Sequence, residues 1–127
     1  MWDSTSRYVL THLNFFLPDG KRKAFERRLR GQEEYRRIHK ADWLLLSWGK
    51  SGRTWLRVML SRFYEVHFGL DRHRMLGFDN LTRLNPAVPR VYFTHGNYLR
   101  DFTGHGFDTK EDFQNRKIVL LVRDPRD

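Results

Sequence analysis

Three short apolar runs stand out along the chain, each bounded by polar or glycine-bearing residues: Trp43 to Trp48 (WLLLSW), Arg90 to Thr94 (RVYFT) and Lys117 to Val122 (KIVLLV). Their length predicts β-strands, and the near-continuous apolar character of the first predicts a strand covered on both faces. Between the first two runs the period changes. Over Thr54 to Phe68, Trp55, Leu56, Met59, Leu60, Phe63, Tyr64 and Val66 form a wide helical stripe, with Gly69 placed to end it. Upstream, Lys21 to Lys40 is dense in charge but sets Phe25, Leu29, Gln32, Tyr35 or Arg36, and Ile38 roughly along one side, which predicts another helix. Tyr8 to Leu17 reads as a short helix or arm ended by the turn Pro18-Asp19-Gly20. Residues 69–89, with Gly, Asn and two Pro, are expected to be irregular.

The order of these elements predicts an α/β fold with a parallel sheet. A charged helical segment over residues 1–41 precedes a sheet-bearing domain over residues 42–127. Each apolar run ends on polar residues: Lys50 with its loop, His95, and Arg123. In a parallel sheet ligands sit outside the carboxyl ends of the strands, so these three ends are expected to share one crevice.

Composition narrows the setting. A chain of 127 residues, 39% hydrophobic, can bury one modest core. With no Cys there is neither a disulfide framework nor a thiolate metal site, and a reducing compartment is compatible. No apolar run approaches the roughly 18 to 20 residues that span a bilayer, and MWDSTSR lacks the order of a signal peptide, so a cytoplasmic location is expected. The balance of 24 Lys+Arg against 15 Asp+Glu, net +9, favours an anionic partner. The block KRKAFERRLR could touch an anionic membrane peripherally, but it reads first as the solvated side of a helix.

The chemistry concentrates in Gly49-Lys50-Ser51-Gly52-Arg53-Thr54, between the first strand and the Thr54 to Phe68 helix. A tight glycine turn leading into a helix N-terminus presents free N–H groups and the positive end of the dipole to an anion. Lys50 adds a point charge, and Ser51 and Thr54 add hydroxyls. This is not the standard nucleotide-triphosphate loop, which needs a Gly where Leu44 stands. Instead WGKSGRTWL resembles the PKSGTTWL motif of sulfotransferases that use 3′-phosphoadenosine 5′-phosphosulfate (PAPS). Lys50, Ser51, Gly52, Thr54, Trp55 and Leu56 match; Gly49 replaces a Pro and Arg53 a Thr. Thr94-His95 after a strand resembles the Thr-His pair of the same family, and Val122-Arg123-Asp124-Pro125-Arg126-Asp127 resembles its RNPKD-type motif.

That resemblance, over residues 42–127, implies a P-loop NTPase-like sulfotransferase fold. It implies that Lys50, Ser51, Gly52, Arg53, Thr54 and Trp55 hold the 5′-phosphosulfate, that Arg123 holds the 3′-phosphate, and that Lys50 and His95 are catalytic, His95 as the base. PAPS would be the co-substrate, no metal would be needed, and the acceptor would be a small molecule, lipid or glycan rather than a nucleic acid. The family's second 3′-phosphate ligand and its late Gly-rich loop lie beyond Asp127, so the chain is expected to be the amino-terminal part of such a domain, incomplete at its C-terminus.

Other residues take plainer readings. A glycan-acting branch of the family uses a Glu base shortly after the loop, but Glu65 is expected in the last turns of the helix, facing solvent. Trp48, Trp55 and Phe93 are expected in the core, and His105 in TGHGFD in a loop that could gate substrate. His12, His39, His67 and His73 show no metal-ligand spacing. Two other functions fit less of the pattern: a phosphate-loop kinase or NTPase, and a basic anion-binding module without catalysis. A truncated, inactive relic with an exposed sheet edge is a further alternative.

Overall fold

A computed structural model describes residues 18–71, 73–105 and 111–124. Strand β1 (Trp43–Ser47) is central in a three-stranded open sheet, with β2 (Val91–Thr94) on one side and β3 (Ile118–Leu121) on the other. Both pairings are parallel. Leu46 lies opposite Thr94, and Ser47 lies opposite Leu121. The chain is thus α/β, as the alternation of runs predicts, and all three strands point their carboxyl ends the same way. The segment Tyr8 to Leu17 lies outside the described residues.

The central strand is buried as its composition requires: Leu44 and Leu45 are 0% exposed. Alternation sends neighbouring side chains to opposite faces. On one face Leu44 packs with Ile38, Ala41 and Leu99, and Tyr35, Phe78, Tyr92 and Phe113 close around them. On the other, Tyr64, Leu76, Leu81, Val88 and Val91 form a second cluster with Trp43 and Phe93 at its margin.

Helix α1 (Asp19–Lys40) covers the first face. Asp19 stands in its first turn and Arg37, His39 and Lys40 in its last, each matched to the sign of the helix dipole. Its buried line runs through Gly31, Glu34 and Ile38, whereas Gln32 and Arg36 of the expected stripe are exposed. The reason is close packing with the short helix α3 (Leu99–Thr103): a Cβ on Gly31 would sit 2.3 Å from the Tyr98 carbonyl oxygen. Much of the basic charge of α1 is held internally. Arg36 and Arg37 donate to Glu33; burial opposes ionisation of that carboxyl, but the two guanidiniums outweigh it and hold it down at about 2. Arg27 pairs with Asp101, and Arg27 and Arg30 lie over the Tyr98 ring.

Helix α2 (Arg53–His67) packs beneath the other face. Its inward residues are Ser61, Tyr64 and Glu65, flanked by half-buried Leu60, while Trp55, Val58, Met59, Phe63 and Val66 are exposed. The wide apolar stripe is therefore only partly turned inward. The Tyr64 hydroxyl accepts a hydrogen bond from Trp43 Nε1, and the Ser61 hydroxyl accepts one from the Leu76 amide. The segment 69–89 is irregular, as expected, yet it supplies Leu76, Leu81 and Val88 to the core. Turns within it are tied by Asn80, which accepts from the Gly77 amide and donates to the Met75 carbonyl.

Strand β3 is an edge strand whose Ile118, Val119 and Leu120 are exposed. Among the described residues no helix is long and apolar enough to cross a membrane. A test of the α1–α3 packing is Gly31→Ala. The new methyl gains helix propensity but meets backbone, and overpacking of this kind costs about 1–3 kcal/mol. A fall in the urea midpoint at unchanged slope is expected; an unchanged or raised midpoint would contradict the close approach.

Candidate functional site

Beyond Ser47 the backbone leaves the sheet through Trp48 and Gly49 and reverses into α2. Two left-handed residues make that turn: Lys50 at φ 59° and Gly52 at φ 91°. Gly52 meets no side-chain penalty there, whereas Lys50 adopts a conformation uncommon for a residue with a Cβ. Ser51 is buried, and its hydroxyl donates to the Trp48 carbonyl at 2.8 Å, closing the turn from within.

Gly52 caps α2 without any side-chain hydrogen bond; its carbonyl accepts from the Leu56 amide. The amides of the first helical turn, Arg53, Thr54 and Trp55, therefore have no intrahelical acceptor. The first turn also contains no acid. Instead Arg53 stands at the positive end of the dipole with Lys50 just before it, an arrangement that is mutually repulsive until an anion arrives. Among the described residues neither Lys50 nor Arg53 is paired with a carboxylate.

His95 directly follows β2. Its Nδ1 is hydrogen bonded to the Ser47 carbonyl. A carbonyl can only accept, so Nδ1 carries a proton; in the neutral ring that leaves the lone pair on Nε2, the tautomer of a general base. Arg123 lies two residues past β3, where the Ser47–Leu121 register sets it level with the start of the loop.

These groups meet. An open cleft of about 420 Å³ is lined by Trp48, Lys50, Gly52, Arg53, Thr54, Trp55, His95 and Arg123. Every residue singled out from the sequence for anion binding or catalysis lines it except Ser51, which lies buried under the loop. Among the described residues none of the lining side chains is acidic, and Lys50, Arg53 and Arg123 make the lining positive. Among the described residues no group of His, Asp or Glu could hold a metal ion.

Several expectations need correction. Trp48 and Trp55 are not core residues: they are 77% and 75% exposed and stand at the cleft. Phe93 does pack against the core on the α2 side. Glu65 does not face solvent. It is 7% exposed and accepts hydrogen bonds from His73 Nδ1, from Arg62 and from the Arg74 amide. It lies 13 residues after Gly52, about 20 Å along the helix at 1.5 Å per residue, too far to act at the loop. Its work is to pin the chain that follows α2. His105 pairs with Asp112 and lies outside the cleft lining, His67 stacks on Phe63, and His39 bonds the Tyr35 carbonyl. His12 lies outside the described residues.

Two residues at or beside the cleft escaped the sequence reading. Trp48 was hidden because apolarity in a strand-like run signals burial, and only its position just past the strand end could have flagged it. Glu34, whose carboxylate reaches the His95 turn, has no local signal at all. Comparison with protein-family models, with curated proteins and with solved structures finds no match.

The pinning role of Glu65 has a pH signature. The His73 hydrogen bond, with those of Arg62 and Arg74, outweighs desolvation and holds the carboxyl below its ordinary value. Its contribution to stability is therefore present above the ordinary carboxylate range and is lost as pH falls through the lowered folded value. Urea midpoints of wild type and Glu65→Gln should differ at neutral pH and converge on acidification. A gap that does not change with pH would contradict the assignment.

Proposed function

We propose that this chain binds PAPS and belongs to a sulfuryl-transfer enzyme, with a P-loop NTPase-like sulfotransferase fold as the setting of its sheet and loop. The observation that carries the reading is the meeting of the Lys50 loop, the His95 imidazole and the Arg123 guanidinium around one cleft. A ligand with two separate anionic groups suits two cationic sites, one at a helix N-terminus and one at the end of a neighbouring strand.

The donor set fits the group. Amides of the first turn of α2, the Lys50 ammonium and the Thr54 hydroxyl are of the kinds that bind phosphate and sulfate oxygens, and Arg53 adds a guanidinium where the family motif has a hydroxyl. Ser51 serves this loop by closing it, since its hydroxyl is bonded to the Trp48 carbonyl. Arg123 takes the 3′-phosphate with its bidentate fork and so sets the register of the nucleotide.

When bound, PAPS supplies the sulfuryl group: an acceptor hydroxyl or amine bonds to sulfur as the S–O bond to the 5′-phosphate breaks, leaving adenosine 3′,5′-bisphosphate. Lys50 stabilises the negative charge that grows on the oxygen left behind. His95 takes the acceptor's proton on Nε2, and the Ser47 carbonyl, hydrogen bonded at Nδ1, holds the ring in orientation. Trp48 and Trp55 give the cleft an apolar margin that suits a small-molecule, lipid or glycan acceptor. A cytoplasmic location accords with a chain that has no Cys.

Titration of the purified chain with adenosine 3′,5′-bisphosphate, 5′-AMP and ATP tests this reading. The 3′-phosphate should add at least about tenfold in affinity over 5′-AMP, as a charge-assisted bidentate contact provides. Arg123→Ala should erase that difference, and Lys50→Ala should weaken all three ligands. Equal affinity for the bisphosphate and 5′-AMP would overturn the proposal, and magnesium-dependent preference for ATP would favour a kinase or NTPase.

A further inference from the structure

Glu34 is buried in the middle of α1 at 6% exposure. Its two carboxylate oxygens are divided between the two ends of the turn that carries His95. Oε1 accepts a hydrogen bond from the Thr94 hydroxyl, and Oε2 accepts one from the Tyr98 amide at 3.1 Å. The Thr94 oxygen in turn accepts from the Gly96 amide at 2.9 Å, a bond that spans His95. Gly96 adopts φ 69°, which lets the chain fold back at that point.

A continuous chain of bonds results: Gly96 N–H to Thr94 Oγ1, Thr94 O–H to Glu34. Because the carboxylate has only acceptors, it forces the Thr94 proton toward itself and leaves the hydroxyl lone pair for Gly96. Successive bonds of this kind polarise one another in a buried setting. Gly31, one turn earlier on α1, permits the approach, since any Cβ there would strike the Tyr98 carbonyl oxygen. The same helix therefore holds Tyr98 through its amide and crowds it through its carbonyl.

We propose that Glu34 is a positioning residue for His95: it clamps both ends of the Thr94–Tyr98 turn so that the imidazole bonds the Ser47 carbonyl through Nδ1 and turns Nε2 to the cleft. The proposal rests on the reading of His95 as the base. It gives the charged N-terminal helix a part in the chemistry, although that helix supplies no residue to the cleft lining.

The test is the tautomer of His95, read from its imidazole ¹⁵N shifts in the labelled full chain at alkaline pH, where the ring is neutral. Wild type should show His95 held as the Nδ1–H form. Glu34→Ala leaves the Tyr98 amide and Thr94 hydroxyl without their acceptor, and the Nδ1–H signature should be lost to the mixed tautomers of a free side chain. Glu34→Gln keeps the volume but only one of the two accepting oxygens, so it should retain more of the Nδ1–H signature than Glu34→Ala. Thr94→Val removes only the hydroxyl at nearly constant volume and should give the same loss as Glu34→Ala; it carries the decision if the alanine variant does not fold. Affinity for adenosine 3′,5′-bisphosphate should stay within about twofold in every folded variant, because the clamp's hydrogen bonds run among Glu34, Thr94, Gly96 and Tyr98 and not to the phosphate loop. Retention of the Nδ1–H form in Thr94→Val, or in a folded Glu34→Ala, would overturn the proposal. A wild-type chain with no preference for the 3′-phosphate would instead remove the sulfotransferase reading, while the spectra would still decide the clamp.

Discussion

Parallel pairing on both sides of β1 is the constraint from which the rest of the site follows. The pairs Leu46–Thr94 and Ser47–Leu121 bring segments from three distant parts of the chain to the same edge of the sheet. An antiparallel neighbour, or a slip of one residue, would send Arg123 or His95 to another edge or face. The register is enforced by burial: adjacent Leu44 and Leu45 are both fully buried and point to opposite faces, so a one-residue slip would move every side chain of the strand to the wrong face. Packing specified by apolar residues thus determines where the polar ones act.

The site itself is built against electrostatic preference. Lys50 and Arg53 sit at the positive end of α2, the first turn holds no acid, and Lys50 adopts a left-handed backbone. Each of these features is unfavourable in the free protein, and an anion at the helix N-terminus would offset the two that are electrostatic. Elsewhere charge is handled conventionally, with Glu33 shared by Arg36 and Arg37, Asp101 paired with Arg27, and Glu65 satisfied by three donors. The loop differs: among the described residues Lys50 and Arg53 are paired with no carboxylate. Two apolar surfaces, the outer side of α2 and the exposed strand β3, remain uncovered in the chain as described.

What could be read from the sequence, and what could not, divides by range. The strands around Leu44, Val91 and Val119, the glycine turn at Gly49–Gly52 and the helix after it are local signals, carried by composition and spacing within a few residues. Burial of Glu34 and Glu65 depends on partners that the helical period cannot reveal: Thr94 is 60 residues from Glu34, and His73 and Arg74 lie past the end of α2. Leu76, Leu81 and Val88 fill the core from a segment without any period, so hydropathy patterns pass over them. Trp55 and Phe63 show the reverse error, since a stripe of apolar residues measures hydrophobicity and not whether anything packs against it.

The central claim is that Lys50, His95 and Arg123 serve one ligand at one sheet edge, and its most direct test is residue-resolved. In amide and side-chain NMR spectra recorded as adenosine 3′,5′-bisphosphate is added, signals of residues 50–55, His95 and Arg123 should shift together along a single saturation curve. Shifts confined to the basic face of α1, or separate curves for the Lys50 loop and Arg123, would contradict it.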